Sequence, residues 1–384
     1  MKINYMEPTH KFNVIPDPHD ADGILKFIES IGRVCYKSED RITEDSAKKF
    51  VKMIFDRGHT SVFEHYIFTF EVTKDIYMEL LYEFIDTREY NKYRELLSYF
   101  RMSKYDNKYF ISGSIRAFNQ MADYLFMYSN EFKAFMSMYQ VLQEMFPCIT
   151  YESWRYTGDQ EVRLVTLDEI NSFPEEIRRI HNWFSVYFTA DRSITHQIVR
   201  HKKFVGVSQE STRYVNYGNK GYSVILPYWM PKEIKELVIN NNNDTEAWKE
   251  QDSDMVIATK AWIVAIKDIL LKYDWFINLN NPHFTPQDLK GIIIDSIKAE
   301  INITTFEDEW LYIFNMRCTS AAYPGMRELM IPTFQDFYNI GTDKFMDQMD
   351  EFTTLKDIIL NDGGKKYFET DTTTVPIYYA STTN

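Results

Sequence analysis

Cysteine is scarce in this chain. Cys35, Cys148 and Cys318 are scattered, odd in number and never spaced as CxxC. That excludes a disulfide framework and fits a reducing compartment. Apolar runs long enough to cross a bilayer are missing too. Met1 to Asn13 holds no apolar stretch behind a basic start, so no signal peptide is expected. The expectation is a soluble, cytoplasmic protein with no membrane partner. Positive charge is also short, with 43 Lys and Arg against 56 Asp and Glu and a formal net charge of −13. Duplex nucleic acid needs a basic footprint and is not the expected partner. A few clustered arginines can still hold one nucleotide phosphate. Aromatic residues are plentiful: 28 Phe, 27 Tyr and 7 Trp among 384 residues, 45% of which are hydrophobic. A bulky, ring-rich core follows.

The first helix is expected from Asp20 to Tyr36, because Ile24, Phe27, Ile28, Ile31, Val34 and Cys35 follow the three-four spacing of one buried face. Asp20 or Asp22 can cap it. A second helix, Glu44 to Phe55, ends at Arg57-Gly58-His59, with Gly58 left-handed. Ile67 to Val72 alternates and reads as a half-buried strand. From Lys74 to Arg179 the pattern is mainly helical, with Ile111 to Phe118 a turn leading into a helix. Phe184 to Ala190 reads as a strand, Arg192 to His201 as a short helix, and Val224 to Pro227 as another strand. After a polar loop at Asn240 to Asp244, a long helix runs to Tyr273 with Trp262, Ile266, Ile269 and Leu270 on one face. Helices at Glu307 to Arg317 and Pro324 to Phe337 follow, and a Thr-rich tail from Thr370 to Asn384 is expected to be poorly ordered. The only hint of a repeat is a faint similarity between Ser112–Phe118 and Thr304–Trp310. The reading is one α+β domain over 1–384, with a large helical insertion at 74–180.

Three constellations could carry chemistry. The run from Thr195 to Tyr214 puts Gln197, Arg200 and His201 on one helical face, followed by Ser208, Gln209, Ser211, Thr212 and Arg213. Such hydroxyls, amides and guanidinium groups bind phosphate oxygens and pyrimidine edges. A solvated helix end and a polar loop would look the same in isolation. Gly58-His-Thr-Ser-Val-Phe-Glu-His65 gathers two His and a Glu without an HExxH spacing. It reads either as a site or as a polar helix-to-strand connection. Asn315-Met-Arg317 and Ala321 to Arg327 complete the set. Arg317 continues the apolar stripe of Trp310, Ile313 and Phe314 and therefore needs an anion or a carbonyl partner; a salt bridge would also serve.

Together these segments, in this order, resemble the flavin-dependent thymidylate synthases, as does Arg33-Val-Cys-Tyr36. The resemblance runs from Ile24 to Phe337 and is closest to longer members carrying Ser-Gly-x-x-Arg-Ala, here Ser112 to Ala117. It implies helices packed on a mixed, largely antiparallel sheet, and a homotetramer with active sites where subunits meet. It implies FAD against His59, Ser61, Glu64, Arg200, His201, Lys202, Asn315 and Arg317. Gln197, Arg200, Gln209, Ser211 and Arg213 would hold dUMP or a related pyrimidine nucleotide. Arg327 would be the catalytic group that polarises the uracil ring. The implied reaction is reductive methylation of dUMP to dTMP, with methylenetetrahydrofolate as carbon donor and NADPH regenerating the reduced flavin. No enzyme thiolate is expected, and Ser211 reads as a hydrogen-bonding group because no His–Asp pair is evident to activate it.

The match departs at three points. Lys202 stands where the family has its second arginine, eight residues rather than seven separate it from Ser211, and Phe306-Glu-Asp308 replaces an Asn-Leu-Arg sequence. Lysine keeps the charge but loses the planar five-donor fork. The extra residue is expected to bulge out or shift the loop somewhere in Phe204 to Val207, with Gly206 able to absorb it. Three alternatives stay open: a pyrimidine nucleotide hydroxymethylase of the same family, a metal-dependent hydrolase using His59, His65 and His201, and an inactive nucleotide-binding relative.

Overall fold

The computed structural model describes residues 3–82, 90–128, 133–151, 161–201, 203, 205–211, 221–240, 253–279 and 281–344. After two short strands, β1 (Ile3–Met6) and β2 (Thr9–Phe12), comes α1 (Ala21–Tyr36). Asp20 caps α1 by accepting from the Gly23 N–H at 2.9 Å. α2 (Ser46–Asp56) ends at Gly58, whose φ of +72° permits the tight exit expected of a left-handed glycine. A 3-10 turn (Thr60–His65) then feeds β3 (Ile67–Val72).

The stretch read as mainly helical holds three strands. α3 (Lys74–Tyr82) and α4 (Tyr90–Leu97) lead to a hairpin of β4 (Arg101–Tyr105) and β5 (Lys108–Ser114). Asp106 and Asn107, both at positive φ, form the two-residue turn that suits the twist of paired strands. Ile111 to Ser114 is therefore strand rather than turn, and it runs directly into α5 (Ile115–Tyr128). α6 (Lys133–Met145), β6 (Val162–Leu164), α7 (Leu167–Asn171) and α8 (Glu175–His181) follow.

β7 (Trp183–Asp191) turns into α9 (Arg192–Ile198), capped by Asp191, whose carboxylate accepts from the Ile194 N–H at 2.8 Å. Then come β8 (Gly206–Gln209), β9 (Tyr222–Ile225), α10 (Lys232–Asn240), the long α11 (Asp254–Asn278) and the short α12 (Pro286–Leu289). β10 (Lys298–Phe306), a strand absent from the expectations, leads into α13 (Glu307–Arg317) and α14 (Pro324–Lys344). The loop residues 241–244 and the Thr-rich tail lie outside the described residues.

The class is α+β, as expected, but the strands form two separate four-stranded sheets with orders β4-β5-β3-β6 and β2-β7-β10-β8, and β1 pairs with β9 alone. Both large sheets are antiparallel throughout, and β1–β9 is parallel.

The two sheets share one register. Ile67 faces Ser114 in the first, and Trp183 faces Phe306 in the second. With β3 matched to β7 and β5 to β10 in this way, the outer pairs coincide as well. Arg101 opposite Ser112 matches Gly206 opposite Thr304, and Leu164 opposite Phe70 matches Phe12 opposite Val186. Even a flanking bond repeats: Asn13 N–H donates to Ser185 O, and Val165 N–H to Thr69 O, both at 2.9 Å. The outer strands are exchanged. β2 begins the first half of the chain yet pairs with β7, whereas β6 begins the second half yet pairs with β3.

One apolar core surrounds the first sheet, with Phe68, Phe70, Phe118 and Phe135 fully buried; a second, around Trp310, Phe314 and Phe334, surrounds the other. A third joins β1, β9 and α11 through Ile263, Ile266, Leu270 and Tyr273. Truncating one of the buried phenylalanines to Ala would cost about 3–5 kcal/mol. β3 is covered on both faces rather than half-buried, because Thr69 lies 2% exposed beneath α8, in a polar layer that includes Ser112 and His181.

Candidate functional site

The two halves meet through a pair of matching histidines. His65, at the end of the 3-10 turn, lies between Thr304 Oγ1 at 2.8 Å from Nδ1 and Ser208 Oγ at 3.0 Å from Nε2. His181, at the end of α8, lies between Ser112 Oγ at 2.6 Å from Nδ1 and Ser103 Oγ at 2.7 Å from Nε2. Both are fully buried. Burial holds each imidazole neutral, with its pKa pushed down to about 3, and nearby Arg101 adds to the effect at His181. Each ring thus pins one half of the chain to the sheet of the other.

Gly206 permits the close approach at His65. A Cβ there would stand 3.0 Å from the Glu64 carbonyl carbon and 3.0 Å from the His65 ring. Gly206 also pairs regularly with Thr304, and β8 continues without a bulge to Gln209. Within the expected range of Phe204 to Val207, the extra residue is therefore not absorbed at Gly206 or Val207, Phe204 lies outside the described residues, and Gly206 is needed for packing.

The residues singled out in the sequence fall into two groups. On the 3-10 turn, His59 and Ser61 are exposed, and the Tyr36 hydroxyl hydrogen-bonds His59 Nδ1. Glu64 is ion-paired with Arg116 of α5 at 2.6 Å, and burial nevertheless raises its carboxyl pKa against that attraction. The second group surrounds the ends of α9 and α13. α9 stops at Ile198, with Val199 as its cap and the His201 N–H turning back to Ile198 O at 3.1 Å. Arg200 and His201 thus lie beyond the helix instead of on its face. Arg317 nevertheless joins His201 to Gln197, donating to His201 Nε2 at 2.9 Å and to the Gln197 carbonyl at 3.0 Å. This is the carbonyl partner its position on an apolar stripe demanded. Burial and the Arg317 charge lower the His201 pKa to about 4, so Arg200 and Arg317 bring positive charge beside a neutral imidazole.

Nearby, Gln209 donates to Thr195 Oγ1 at 2.9 Å, and the Ser211 N–H reaches Cys35 O at 3.3 Å. Lys202 and Arg213 lie outside the described residues. Asn315 Oδ1 and Arg327 Nε are buried atoms with no hydrogen-bond partner among the described residues. An acceptor and a guanidinium donor left in this way fit a ligand that carries both donors and acceptors, such as FAD or a nucleotide.

Sequence reasoning overlooked two features. Lys37 and Lys298 both pair with Glu300 and approach Glu210, at 3.5 and 3.9 Å respectively, just before Ser211. Burial lowers the Lys298 amine to about 8, partly offset by Glu210. His181 was the other, and its signal was available: the His181-Asn-Trp-Phe sequence before β7 echoes His65-Tyr-Ile-Phe before β3.

The family model for the thymidylate synthase complementing protein matches residues 19–180 and again 179–340. The chain belongs to that family. No curated protein matches it. Among solved structures, the UMP/dUMP methylase PolB from Streptomyces cacaoi, bound with 5-Br dUMP, is similar at 10% identity and a TM-score of 0.31. The alignment covers 41% of this chain and 66% of that one, a little under two thirds of its length. A likeness at this level decides nothing about the chain.

Metal chemistry through His59, His65 and His201 finds no support in the donor geometry. Both His65 nitrogens already face hydroxyls, and His201 Nε2 accepts from Arg317. Among the described residues no three His, Cys, Asp or Glu side chains gather as a metal ion requires. Burial disfavours the thiolate at Cys35, Cys148 and Cys318, raising the last to about 12.

Proposed function

We propose that this chain is a flavin-dependent thymidylate synthase, converting dUMP to dTMP with methylenetetrahydrofolate as carbon donor and NADPH as the source of reducing equivalents. The observation that carries the reading is the family match, extending from 19 to 340, over a chain that keeps the family's motif residues in order.

Bound FAD would supply the hydride, the chemistry no side chain here can provide. Arg200 and Arg317 would neutralise its phosphates, with His201 neutral beside them and so able to accept a hydrogen bond. His59, Ser61 and Glu64 would flank it, with Lys202 adding charge. Gln197, Gln209, Ser211 and Arg213 would orient the nucleotide. Arg327, whose Nε has no partner among the described residues, would donate to a uracil carbonyl and stabilise negative charge developing on the ring. A homotetramer in the cytoplasm is the proposed setting.

The test is one assay. Purified protein with FAD, dUMP, methylenetetrahydrofolate and NADPH should yield dTMP, identified by product mass. A hydroxymethylated product would reassign the reaction within the family. No retained flavin and no product would refute the reading.

A further inference from the structure

At the equivalent places of the two halves, the same backbone register carries opposite chemistry. Counting from His65 and His181, His59 corresponds to Glu175, Ser61 to Ile177, and Glu64 to Ile180. Counting from Ser114 and Phe306, where α5 and α13 begin, Arg116 corresponds to Asp308, Asn315 to Asp123, and Arg317 to Leu125. The first turn of α6, matching Arg327 on α14, holds the buried Phe135 and Met136.

We infer that the chain is an internal pseudo-dimer with a single nucleotide–flavin site, built across the halves, whose symmetry mate has become a structural junction. The inference rests on the function proposed above and adds the composition and number of its sites. The first half supplies the 3-10 turn and Arg116. The second supplies β8, the end of α9, and the facing ends of α13 and α14. His65 joins the two contributions, because it belongs to the turn yet is held by Thr304 and Ser208 of the other half.

The mate position is closed by its own ion pairs. Glu307, fully buried, accepts from Arg178 at 2.9 and 3.1 Å and from Asn182 at 2.8 Å. Asp308 pairs with Arg101 at 3.2 Å, and Glu309 pairs with Arg101 at 3.4 Å and Lys203 at 3.0 Å. Three consecutive acids, where the first half has Ile115-Arg-Ala117, already engage Arg101, Arg178 and Lys203, so a phosphate would have to compete with carboxylates for those cations. Ile180 and Leu125 bury apolar surface where the living site presents Glu64 and Arg317.

The experiment counts sites on the full chain. Calorimetric titration with FAD, then with dUMP at saturating FAD, should give one equivalent of each per chain, one for every two family-like halves. His59→Ala should weaken FAD binding by about tenfold or more, while Glu175→Ala, its half-exposed counterpart, should leave it unchanged. His59 is exposed, and Glu175 is half-exposed and ion-paired with Arg179 at the start of α8, so a thermal-unfolding control accompanies each variant. Two equivalents per chain would overturn the inference and leave the nucleotide reading standing. Binding of neither ligand would overturn both. One equivalent weakened as much by Glu175→Ala as by His59→Ala would overturn the assignment to the His59 side.

Discussion

Acidification from pH 6 to pH 4 should cost the fold about 2–3 kcal/mol at each of the two buried histidines. In the unfolded chain an imidazole takes up its proton near pH 6.5, but His65 and His181 are held neutral until about pH 3 by burial between paired hydroxyls. A folded-state pKa below the unfolded one means that the stability is fully present above about pH 6.5. It shrinks as the pH falls, by about 1.4 kcal/mol per unit per histidine, until the folded ring itself is protonated. A charged ring would also leave a hydroxyl pair with one acceptor too few. The assay is urea unfolding of wild type, His65→Gln, His181→Gln and the double variant at several pH values between 4 and 7. Carboxylates lose stability over the same range, but in all four proteins alike, so the difference in slope isolates the imidazoles. Each substitution should flatten the dependence by about one proton, and the double variant by about two. Four parallel slopes would mean that the rings protonate freely in the fold and that the junction is not sealed as described.

Three further outcomes are expected. Gly206→Ala should lower stability by about 1–3 kcal/mol through overpacking, since the new Cβ would press on the Glu64 backbone and the His65 ring; an unchanged melting temperature would show that the turn can retreat. Glu307→Ala should cost about 3–5 kcal/mol by stranding the buried Arg178, and chemical denaturation checks it. Arg327→Ala should lower kcat more than dUMP affinity, because charge on the uracil ring develops only during reaction; an unchanged rate at saturating dUMP would remove Arg327 from the mechanism.

Helices were the legible part of the fold, because each had a single buried stripe. α1 announced itself through Ile24, Phe27, Ile28, Ile31 and Val34, and its Asp20 cap forms as read. Strands hid where both faces are covered. β5 ends Phe110-Ile-Ser-Gly-Ser114 with every residue buried, polar ones included, because α8 lies over its hydroxyl face. Period-two reasoning looks for a wet face, and there is none. β10 disappeared for the same reason: Asn302, Thr304 and Thr305 are as buried as Ile301 and Ile303. At the site, Arg317 could be read as an arginine in need of a partner. That Gln197 and His201 would be the partners depended on α9 stopping at Ile198, a cap position that helical periodicity cannot fix.

The repeat was nearly invisible for a deeper reason. Apart from the echo of His65-Tyr-Ile-Phe in His181-Asn-Trp-Phe, the likeness in sequence was faint, between Ser112–Phe118 and Thr304–Trp310, and those segments do occupy matching places in β5–α5 and β10–α13. What the two halves share is register, and register constrains hydrogen bonds and burial more than identity. His65 and His181 each close a junction that the other half needs. Under the single-site proposal, the differences between His59 and Glu175, or Arg317 and Leu125, follow from only one position having to bind. The swapped outer strands then make divergence safe. Because β2 completes the second sheet and β6 the first, neither half has a complete sheet without the other. A half that has lost its catalytic residues is still required for folding, so selection on stability alone retains it.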